Sequence, residues 1–209
     1  MIVQNLMKTN VITITPDTSI EKAMNIMKTH RIRHLPVLDS SSHLVGIVSD
    51  RDLRGVSRSA LLERRSIAYS ENVETIMSTN LITGTPLDFV EDIAALFHEF
   101  KIGSMPILQS GKLVGIVTET DLLFTFVQIT GAHMPSSRFE IKIRDRLGTL
   151  SKVLDVFQRK SINIISVLLY PSDEENVKNL VIRAGIMNTN SLIDELQKEG
   201  FDVVWPKKL

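Results

Sequence analysis

The chain of 209 residues contains no cysteine, and it has only one tryptophan and two tyrosines. Without cysteine there is no disulfide framework, no thiol nucleophile and no thiolate metal ligand. The 24 basic and 24 acidic side chains cancel, which argues against a protein that neutralises nucleic-acid phosphates with a basic surface. No apolar run approaches the roughly 18 residues of a membrane-spanning helix, and the N-terminus lacks the pattern of a signal peptide. We therefore expect a soluble, cytoplasmic protein with no nucleic-acid partner and no membrane association.

The sequence does contain an internal repeat, which appears when the chain is shifted by about 70 residues. Residues 7–16 align with residues 77–86, and residues 44–53 align with residues 113–122. Of the 44 aligned pairs compared, 19 are identical, which chance does not produce. Each copy is too small to bury a good core alone, so we expect the two copies to pack against each other.

Both copies predict the same order of secondary structure. The β-branched run Val11–Thr15 is typical of a short strand, which the following proline ends. A helix then begins at a capping box, formed by Thr18 and Glu21 in the first copy and by Asp88 and Glu91 in the second. The apolar face of this helix comprises Ile20, Ala23, Met24 and Met27, or Val90, Ile93, Ala94 and Phe97. A hairpin and a second helix follow, and the hairpin strands are Leu35–Leu38 and Leu44–Val48, or Met105–Leu108 and Leu113–Val117.

The pattern changes at residues 131–137, which have the composition of a linker. The tail then alternates in the order β-α-β-β-α-β, which is the ferredoxin-like arrangement. Its strands are predicted at Phe139–Ile143, Ile162–Tyr170, Val177–Ala184 and Phe201–Trp205, and its helix faces carry Leu150, Val153, Leu154, Phe157, Leu192, Ile193 and Leu196. The sequence therefore predicts a mixed α/β (α+β) fold. Its domains are a first repeat over residues 1–64, with a linker helix around residues 60–65, a second repeat over 65–130 and a tail over 136–209.

Three segments of the repeats carry a family resemblance: Arg33-His34-Leu35-Pro36-Val37, Gly46-Ile47-Val48-Ser49-Asp50-Arg51-Asp52-Leu53 and Gly115-Ile116-Val117-Thr118-Glu119-Thr120-Asp121-Leu122. They resemble the CBS domain, and the tandem pair is similar to a Bateman module. In the tail, Asp145-Arg146-Leu147-Gly148-Thr149-Leu150 and Ser161-Ile162-Asn163-Ile164 resemble an ACT domain. The order of the three domains is similar to that of the AcuB family of bacterial acetoin-utilisation proteins.

The resemblance to Bateman modules implies two clefts between the repeats for an adenine nucleotide, AMP or ATP, which acts as a regulatory ligand and not as a cofactor. One cleft would take Thr15, Ile20, Ile32, Arg33 and His34 from the first repeat, with Thr118 and Asp121 from the second. The other would take Thr85, Val90, Ile102, Gly103 and Ser104 from the second repeat, with Ser49 and Asp52 from the first. Arg33 and Arg51 are the expected phosphate counter-charges. Since Thr120 stands where the first repeat has Arg51, the clefts are expected to differ in charge.

The shared motif suits this chemistry for physical reasons. Its hydroxyl residue, Ser49 or Thr118, ends a strand and opens a helix, whose unpaired N–H groups attract phosphate. Its aspartate, Asp52 or Asp121, can accept hydrogen bonds from two ribose hydroxyls. An alternative stays open, because a Ser or Thr and an Asp at this spacing also form a capping box, and the cap alone explains the motif.

The resemblance to ACT domains implies a site for an amino acid or a similar small molecule, usually where two copies meet. The candidate residues are Asp145, Leu147, Gly148 and Asn163. Ile143 stands at a position that is often polar in amino-acid-binding members, which argues against serine-like specificity. The alternative, which we prefer, is a structural domain in which Gly148 only makes a strand-to-helix turn and an edge strand dimerises.

Other chemistry finds little support in the sequence. His30 and His34 have the i, i+4 spacing of a helical metal site, but Pro36 and the strand around it end the helix too early, so no metal is expected. No nucleophile elbow, P-loop or dinucleotide-binding glycine motif occurs. The motif residues are duplicated, as in twin ligand clefts, and we expect no catalytic residue and no enzyme activity. An enzyme of acetoin metabolism is suggested by family association alone.

The expected function is a regulatory sensor whose nucleotide changes the packing of the repeats or the placement of the tail, a change that an unidentified partner protein reads. The alternatives are a constitutive dimeric scaffold without ligand and an amino-acid sensor that acts through the tail. A homodimer is expected because Ala94, Leu96 and Phe97 exceed what one side of a helix can bury. The open face of the tail sheet, expected to carry side chains of Val177–Ile182 and Phe201–Trp205, also favours a dimer.

Overall fold

A computed structural model describes residues 1–55 and 70–207. Its helices and strands are α1 (Ile20–His30), β1 (His34–Leu38), β2 (Leu44–Ser49), α2 (Val90–Phe100), β3 (Ser104–Gln109), β4 (Lys112–Thr118), α3 (Glu119–Thr130), β5 (Ser137–Arg144), α4 (Thr149–Arg159), β6 (Ile164–Pro171), β7 (Val177–Ala184), α5 (Asn190–Lys198) and β8 (Asp202–Trp205). Residues 50–55 are also helical. The predicted linker helix around residues 60–65 lies outside the described residues. The chain divides into two compact units, Met1–Leu123 and Phe124–Leu209.

Each repeat of the first unit packs a helix against an antiparallel hairpin, as the sequence predicts. Val37 lies opposite Gly46 in the β1–β2 hairpin, and Ile107 lies opposite Gly115 in the β3–β4 hairpin. The register shifts directly after this pair in both hairpins, so the two copies share an irregularity as well as a fold. The buried core residues are Ile14, Ile20, Ala23, Met27, Leu35, Val37, Val48, Leu53 and Val73 in one cluster, and Val3, Ile93, Phe97, Met105, Ile107 and Val117 in the other.

The first residues of each repeat pack on the other repeat. Val3 is fully buried in the core of the second repeat, and Val73 is fully buried in the core of the first. The N–H and carbonyl groups of Lys8 exchange two hydrogen bonds of 3.0 Å with those of Ile116, which lies on β4. The exchange holds the two repeats together, and it carries the side chain of Lys8 to the second repeat.

The predicted strand Val11–Thr15 is wrong. Only Ile14 forms a bridge, a parallel one to Val37, and the residues on either side of it have no regular secondary structure. Pro16 has no N–H with which to continue a ladder, so the pairing ends after this bridge.

The predicted capping boxes of α1 and α2 are also wrong. Ser19 is the N-cap of α1, and its hydroxyl accepts a 3.3 Å hydrogen bond from the N–H of Lys22. Asp88 does not cap α2, because its carboxylate accepts a 2.7 Å hydrogen bond from the N–H of Thr85. The side chains of Thr18 and Asp88 therefore accept hydrogen bonds from residues 15 and 85 in the turn before the helix, and not from the first turn of the helix itself.

The second unit is a four-stranded antiparallel sheet in the order β6-β7-β5-β8, with α4 and α5 packed on it. This is the predicted ferredoxin-like order. The rings of Phe139 and Phe157 meet edge to face in the core, with centroids 5.7 Å apart. The buried residues are Phe139, Ile141, Ile143, Val153, Val156, Phe157, Leu180, Ile182, Ala184, Leu192, Ile193 and Leu196.

The open face of this sheet is more polar than predicted. Leu180 and Ile182 belong to the core, and Phe201 packs against it, because strand alternation turns these side chains toward the helices. On the other face, Arg138 and Glu140 form an ion pair of 2.8 Å. The apolar surface expected from Val177–Ile182 and Phe201–Trp205 is therefore realised only in part, since Val181 and the 53% exposed Trp205 lie opposite Glu140 on this face.

The α2 surface is corrected in the same way. Phe97 is only 5% exposed and belongs to the core of the second repeat, while Leu96 is partly buried against that core. Of the three residues that favoured a dimer, only Ala94 is exposed. Within residues 1–55 and 70–207, no helix is long and apolar enough to cross a membrane.

Candidate functional site

The first cleft is a pocket of about 180 Å³ in the first unit. It is lined by Lys8, Asn10, Val11, Ile12, Arg31, Ile32, Arg33, His34, Ile116, Thr118 and Thr120. The sequence predicted Ile32, Arg33, His34 and Thr118 for this site, and the structure brings these four together. The volume is below the roughly 300–1,000 Å³ of typical ligand sites. A nucleotide would therefore have to displace side chains at the rim.

A left-handed residue turns the chain into the first cleft. Arg31 ends α1 with φ 53° and ψ 41°, and Lys101 ends α2 with φ 53° and ψ 39°. This conformation costs a residue other than glycine roughly 1–2 kcal/mol. The turn directs residues 32–34 toward the second repeat, where the guanidinium of Arg33 donates a 3.0 Å hydrogen bond to Thr120 Oγ1.

The Ser/Thr-x-x-Asp motif forms a cap in both repeats. Asp121 Oδ2 accepts hydrogen bonds from Thr118, of 2.9 Å from its N–H and 2.6 Å from its hydroxyl. Asp52 Oδ2 accepts the same two bonds from Ser49, at 2.8 and 2.6 Å. The capping interpretation is therefore realised. Since each cap uses Oδ2, Oδ1 of the carboxylate is the atom that a ligand hydroxyl would address.

Lys8 forms an ion pair with this second oxygen, Asp121 Oδ1, beside the first cleft. Its Nζ lies 3.0 Å from Asp121 Oδ1, and the Lys8 side chain is 61% exposed while that of Asp121 is 12% exposed. Lys8, Arg31 and Arg33 give the pocket lining three cations, and among the residues that the structure describes no carboxylate, including that of Asp121, lines it. The first cleft is therefore suited to an anionic ligand.

His34 lies where the two repeats meet. Burial, aided by the nearby Arg33 guanidinium, holds the pKa of His34 below its usual value, against the opposing effects of Glu119, Asp52 and Asp50. The neutral imidazole can share the site with these cations without adding charge.

Three residues predicted for the first cleft are not among those that line it, namely Thr15, Ile20 and Asp121. Ile20 is fully buried in the core of the first repeat. Thr15 is exposed, and its N–H donates a 3.2 Å hydrogen bond to Thr18 Oγ1 in the turn before α1. Sequence reasoning missed seven lining residues: Lys8, Asn10, Val11, Ile12, Arg31, Ile116 and Thr120. The one signal for Lys8 was its place beside Met7, at the start of the repeat, where the second copy has Ser78.

The residues predicted for the second cleft lie at the corresponding places of the other repeat. Gly103 faces the first repeat, and a Cβ built on it would lie 3.1 Å from His34 Nε2. The carbonyl of Gly103 accepts a 3.2 Å hydrogen bond from the N–H of Glu119. The other predicted residues differ in exposure. Thr85 and Arg51 are exposed, and Ser104 is buried. The half-buried ones are Val90, Ile102, Ser49 and Asp52.

The candidate residues of the second unit are not brought together within one chain. Asp145 follows Arg144, which pairs with Val177 at one end of β7. Asn163 precedes Ile164, which pairs with Ala184 at the other end. Leu147 is fully exposed, and Gly148 has φ 82° in the turn that opens α4. Any site that uses both Asp145 and Asn163 therefore needs a second copy of the domain.

The two histidines considered for a metal lie on different elements. His30 is the last residue of α1, and His34 is the first residue of β1. Within residues 1–55 and 70–207, no group of three or more His, Cys, Asp or Glu side chains is placed to hold a metal ion.

Comparison with known families assigns both parts of the chain. The CBS domain model matches residues 3–59 and 73–127, and the ACT domain model matches residues 137–201. The duplicated fold is thus that of a tandem CBS module. The chain belongs to the CBS domain family, and it carries a C-terminal ACT domain.

Curated relatives match the CBS part. A CBS domain-containing protein of Dictyostelium discoideum is 32% identical over 143 residues, which are 66% of this chain and 99% of the relative. The CBS domain-containing protein YhcV of Bacillus subtilis is 34% identical over 57% of this chain and 81% of its own length. Inosine-5'-monophosphate dehydrogenase of Aquifex aeolicus is 35% identical, but the match covers 22% of that enzyme.

Solved structures agree on the fold. A putative acetoin utilization protein (AcuB) from Vibrio cholerae aligns with a TM-score of 0.56 at 26% identity, over 66% of this chain and 98% of that one. CBSX2 in complex with AMP aligns with a TM-score of 0.53 at 30% identity, over 61% and 97%. The CBS domain pair of protein MJ0100, in complex with 5'-methylthioadenosine and S-adenosyl-L-methionine, aligns with a TM-score of 0.53 at 29% identity, over 60% and 95%.

Proposed function

We propose that this protein is a regulatory sensor that binds an adenine nucleotide, such as AMP or ATP, between its CBS repeats and signals the bound state to a partner protein. The observation that carries the proposal is the first cleft. There, three cations stand beside the strand-to-helix turn of Thr118, whose partner Asp121 pairs through its other carboxylate oxygen with Lys8 of the pocket lining. This combination fits a ligand with a phosphate and a ribose.

Each part of a nucleotide has a matching group in the first cleft. Lys8, Arg31 and Arg33 line the pocket and would contact the phosphate, and Asp121 Oδ1, which Lys8 contacts, would accept hydrogen bonds from the ribose hydroxyls. Ile32, which is half-buried, offers an apolar surface for the adenine face. Two structural neighbours support this choice of ligand, since one is in complex with AMP and the other with 5'-methylthioadenosine and S-adenosyl-L-methionine.

The route for a signal begins at Thr120. This residue lines the first cleft and lies in the first turn of α3, which runs from Glu119 to Thr130 and so continues into the second unit. A ligand that binds two arrangements of this helix with different affinity would shift their populations. The partner protein, a role in acetoin utilisation and a cytoplasmic location are further parts of the proposal. The relation to acetoin rests on the similarity to AcuB of Vibrio cholerae.

Isothermal titration of the full chain with AMP, ADP and ATP tests this function. We expect binding by the parent and at least a tenfold weaker affinity for Arg33→Ala, which removes a charge-assisted contact. Lys112→Ala is the matched control, because Lys112 is exposed at the start of β4 and does not line the first cleft. Absence of binding by the folded parent would reject the proposal.

The second candidate is a constitutive scaffold, and the observation in its favour is the cap. Asp52 and Asp121 already cap the first turns of the helices in which they lie, so the motif has a structural role without any ligand. A folded parent that binds none of the three nucleotides would favour this function.

The third candidate is an amino-acid sensor in the ACT domain. The separation of Asp145 from Asn163 along β7 requires two copies for such a site. Titration of the full chain with a panel of amino acids tests it, and binding that Asn163→Ala abolishes would support it.

A further inference from the structure

Both carboxylate oxygens of Asp121 already have partners beside the first cleft. Oδ2 is held by the cap on Thr118, and Oδ1 lies 3.0 Å from Lys8 Nζ. A ribose that takes hydrogen bonds to Oδ1 has to compete with the ammonium group. Lys8 is fixed through its backbone to Ile116 of β4, but its side chain is 61% exposed and can move.

We propose that Lys8 makes the first cleft selective for phosphate-bearing nucleosides over uncharged ones, because it yields Asp121 to the ribose only when a phosphate accepts its ammonium group. This inference rests on the proposed nucleotide function and adds a selectivity to it. A neutral nucleoside would break the ion pair between Lys8 and Asp121 and would offer the ammonium group no anion in its place. A nucleotide replaces the carboxylate partner with a phosphate, so the ammonium group exchanges one anion for another.

The surroundings of Lys8 strengthen this exchange. Arg31 and Arg33 line the same pocket, so a phosphate would meet three cations at once. The pocket is small, at about 180 Å³, and the movable side chains of Lys8 and Arg33 lie on its lining. Movement of Lys8 toward the phosphate would therefore both open the first cleft and satisfy the charge.

The second repeat provides the natural comparison. At the position that corresponds to Lys8 the chain has Ser78, and at the position of Arg33 it has Gly103. Ser78 is uncharged, and its backbone exchanges hydrogen bonds with Ile47 of β2 as that of Lys8 does with Ile116 of β4. The same chain thus contains one cleft with the competing lysine and one without it.

The test compares AMP with adenosine by isothermal titration in an Asp52→Ala background, which leaves the first cleft as the binding site. If this background is unfolded by circular dichroism, Asp52→Asn replaces it, because the amide oxygen can still accept the cap. Lys8→Ser converts the first cleft to the arrangement of the second. We expect weaker AMP binding and stronger adenosine binding, so that the AMP-to-adenosine affinity ratio falls about tenfold.

Two controls complete the design. Lys112→Ser removes the same charge at an exposed residue outside the pocket, and it should leave the ratio unchanged. Ser78→Lys, measured in the Asp121→Ala background, should raise the ratio in the second cleft. The effect of Lys8→Ser on AMP should also shrink at high salt, since screening weakens exposed charge contacts.

The outcomes separate this inference from the function on which it rests. AMP binding with an unchanged ratio in Lys8→Ser overturns the role of Lys8 and leaves the nucleotide function intact. An equal loss for AMP and adenosine shows uniform binding and also overturns the inference. Failure of the parent to bind either compound overturns the nucleotide function, and the selectivity with it.

Discussion

Gly103 leaves room for the imidazole of His34, because a Cβ at position 103 would lie 3.1 Å from His34 Nε2. The two residues belong to different repeats, so this contact joins the halves of the CBS pair. It also places the titrating group of His34 between the loops that carry the predicted clefts.

The first prediction concerns that contact. Gly103→Ala should destabilise the protein by about 1 kcal/mol, because the imidazole must move by a few tenths of an ångström or more. In a His34→Ala background the same change should have almost no effect, since the neighbour is gone. Urea unfolding of the four variants gives the coupling energy. Equal effects in both backgrounds would show that the contact between position 103 and His34 does not contribute to the free energy of unfolding.

The second prediction is a pH dependence of stability. Burial and the Arg33 guanidinium hold the pKa of His34 below the usual value near 6.5. Above that value the imidazole is neutral in both states, and its contribution to stability is fully present. As the pH falls below about 6.5, the unfolded chain takes up a proton before the folded chain does, and stability is lost.

His34→Gln isolates this effect, because glutamine does not titrate. We expect the free energy of unfolding to fall less between pH 7 and pH 5 in this variant than in the parent. His43→Gln serves as the control, since His43 lies in an exposed hairpin turn. The same decline in the parent and in His34→Gln would contradict the argument.

The third prediction tests the exchange of the leading segments. Val3 is fully buried in the core of the second repeat, so Val3→Ala should lower stability by about 2 kcal/mol. Val167→Ala is the control, because Val167 is 39% exposed on β6. Chemical unfolding measures both, and a Val3→Ala cost no larger than that of the control would argue against the packing.

The fourth prediction is the homodimer. Light scattering over a dilution series should give about twice the chain mass of 23.5 kDa. The apolar side chains that remain exposed on α3 are the candidate contact, among them Phe126 at 56% and Ile129 at 51%. Phe126→Glu should therefore weaken the dimer, while Gln128→Glu on the same helix should not. A parent mass near 23.5 kDa at micromolar concentration would rule the dimer out.

The sequence predicted the two hairpins and the ferredoxin-like order because alternation, helix spacing and turn residues are local signals. The prediction from sequence failed where the structure depends on contacts between segments that are distant in the sequence. Val3 and Lys8 lie at the start of the first repeat, yet they pack on the second, and no local pattern shows such an exchange. Ile20 stands near the start of a helix, and the sequence alone did not distinguish the cleft wall from the core, where it is fully buried.

The prediction for the open face of the ACT sheet failed in part, and for a different reason. The strand Val177–Ala184 contains many apolar residues, but alternation assigns Leu180 and Ile182 to the helix side. Counting apolar residues along a strand overstates its exposed face when the two sides are not separated. The domain boundaries at residues 64, 130 and 136 stay predictions.

Titration calorimetry of AMP into the full chain and into its two aspartate variants tests the account most directly. We expect Asp121→Ala and Asp52→Ala each to lose binding at one cleft by about tenfold to a hundredfold, because each removes charge-assisted hydrogen bonds to ribose. Loss of the cap should cost only about 1 kcal/mol of stability, so both variants should remain folded. The opposite result, in which both folded variants bind AMP as the parent does, would contradict the assignment of these clefts.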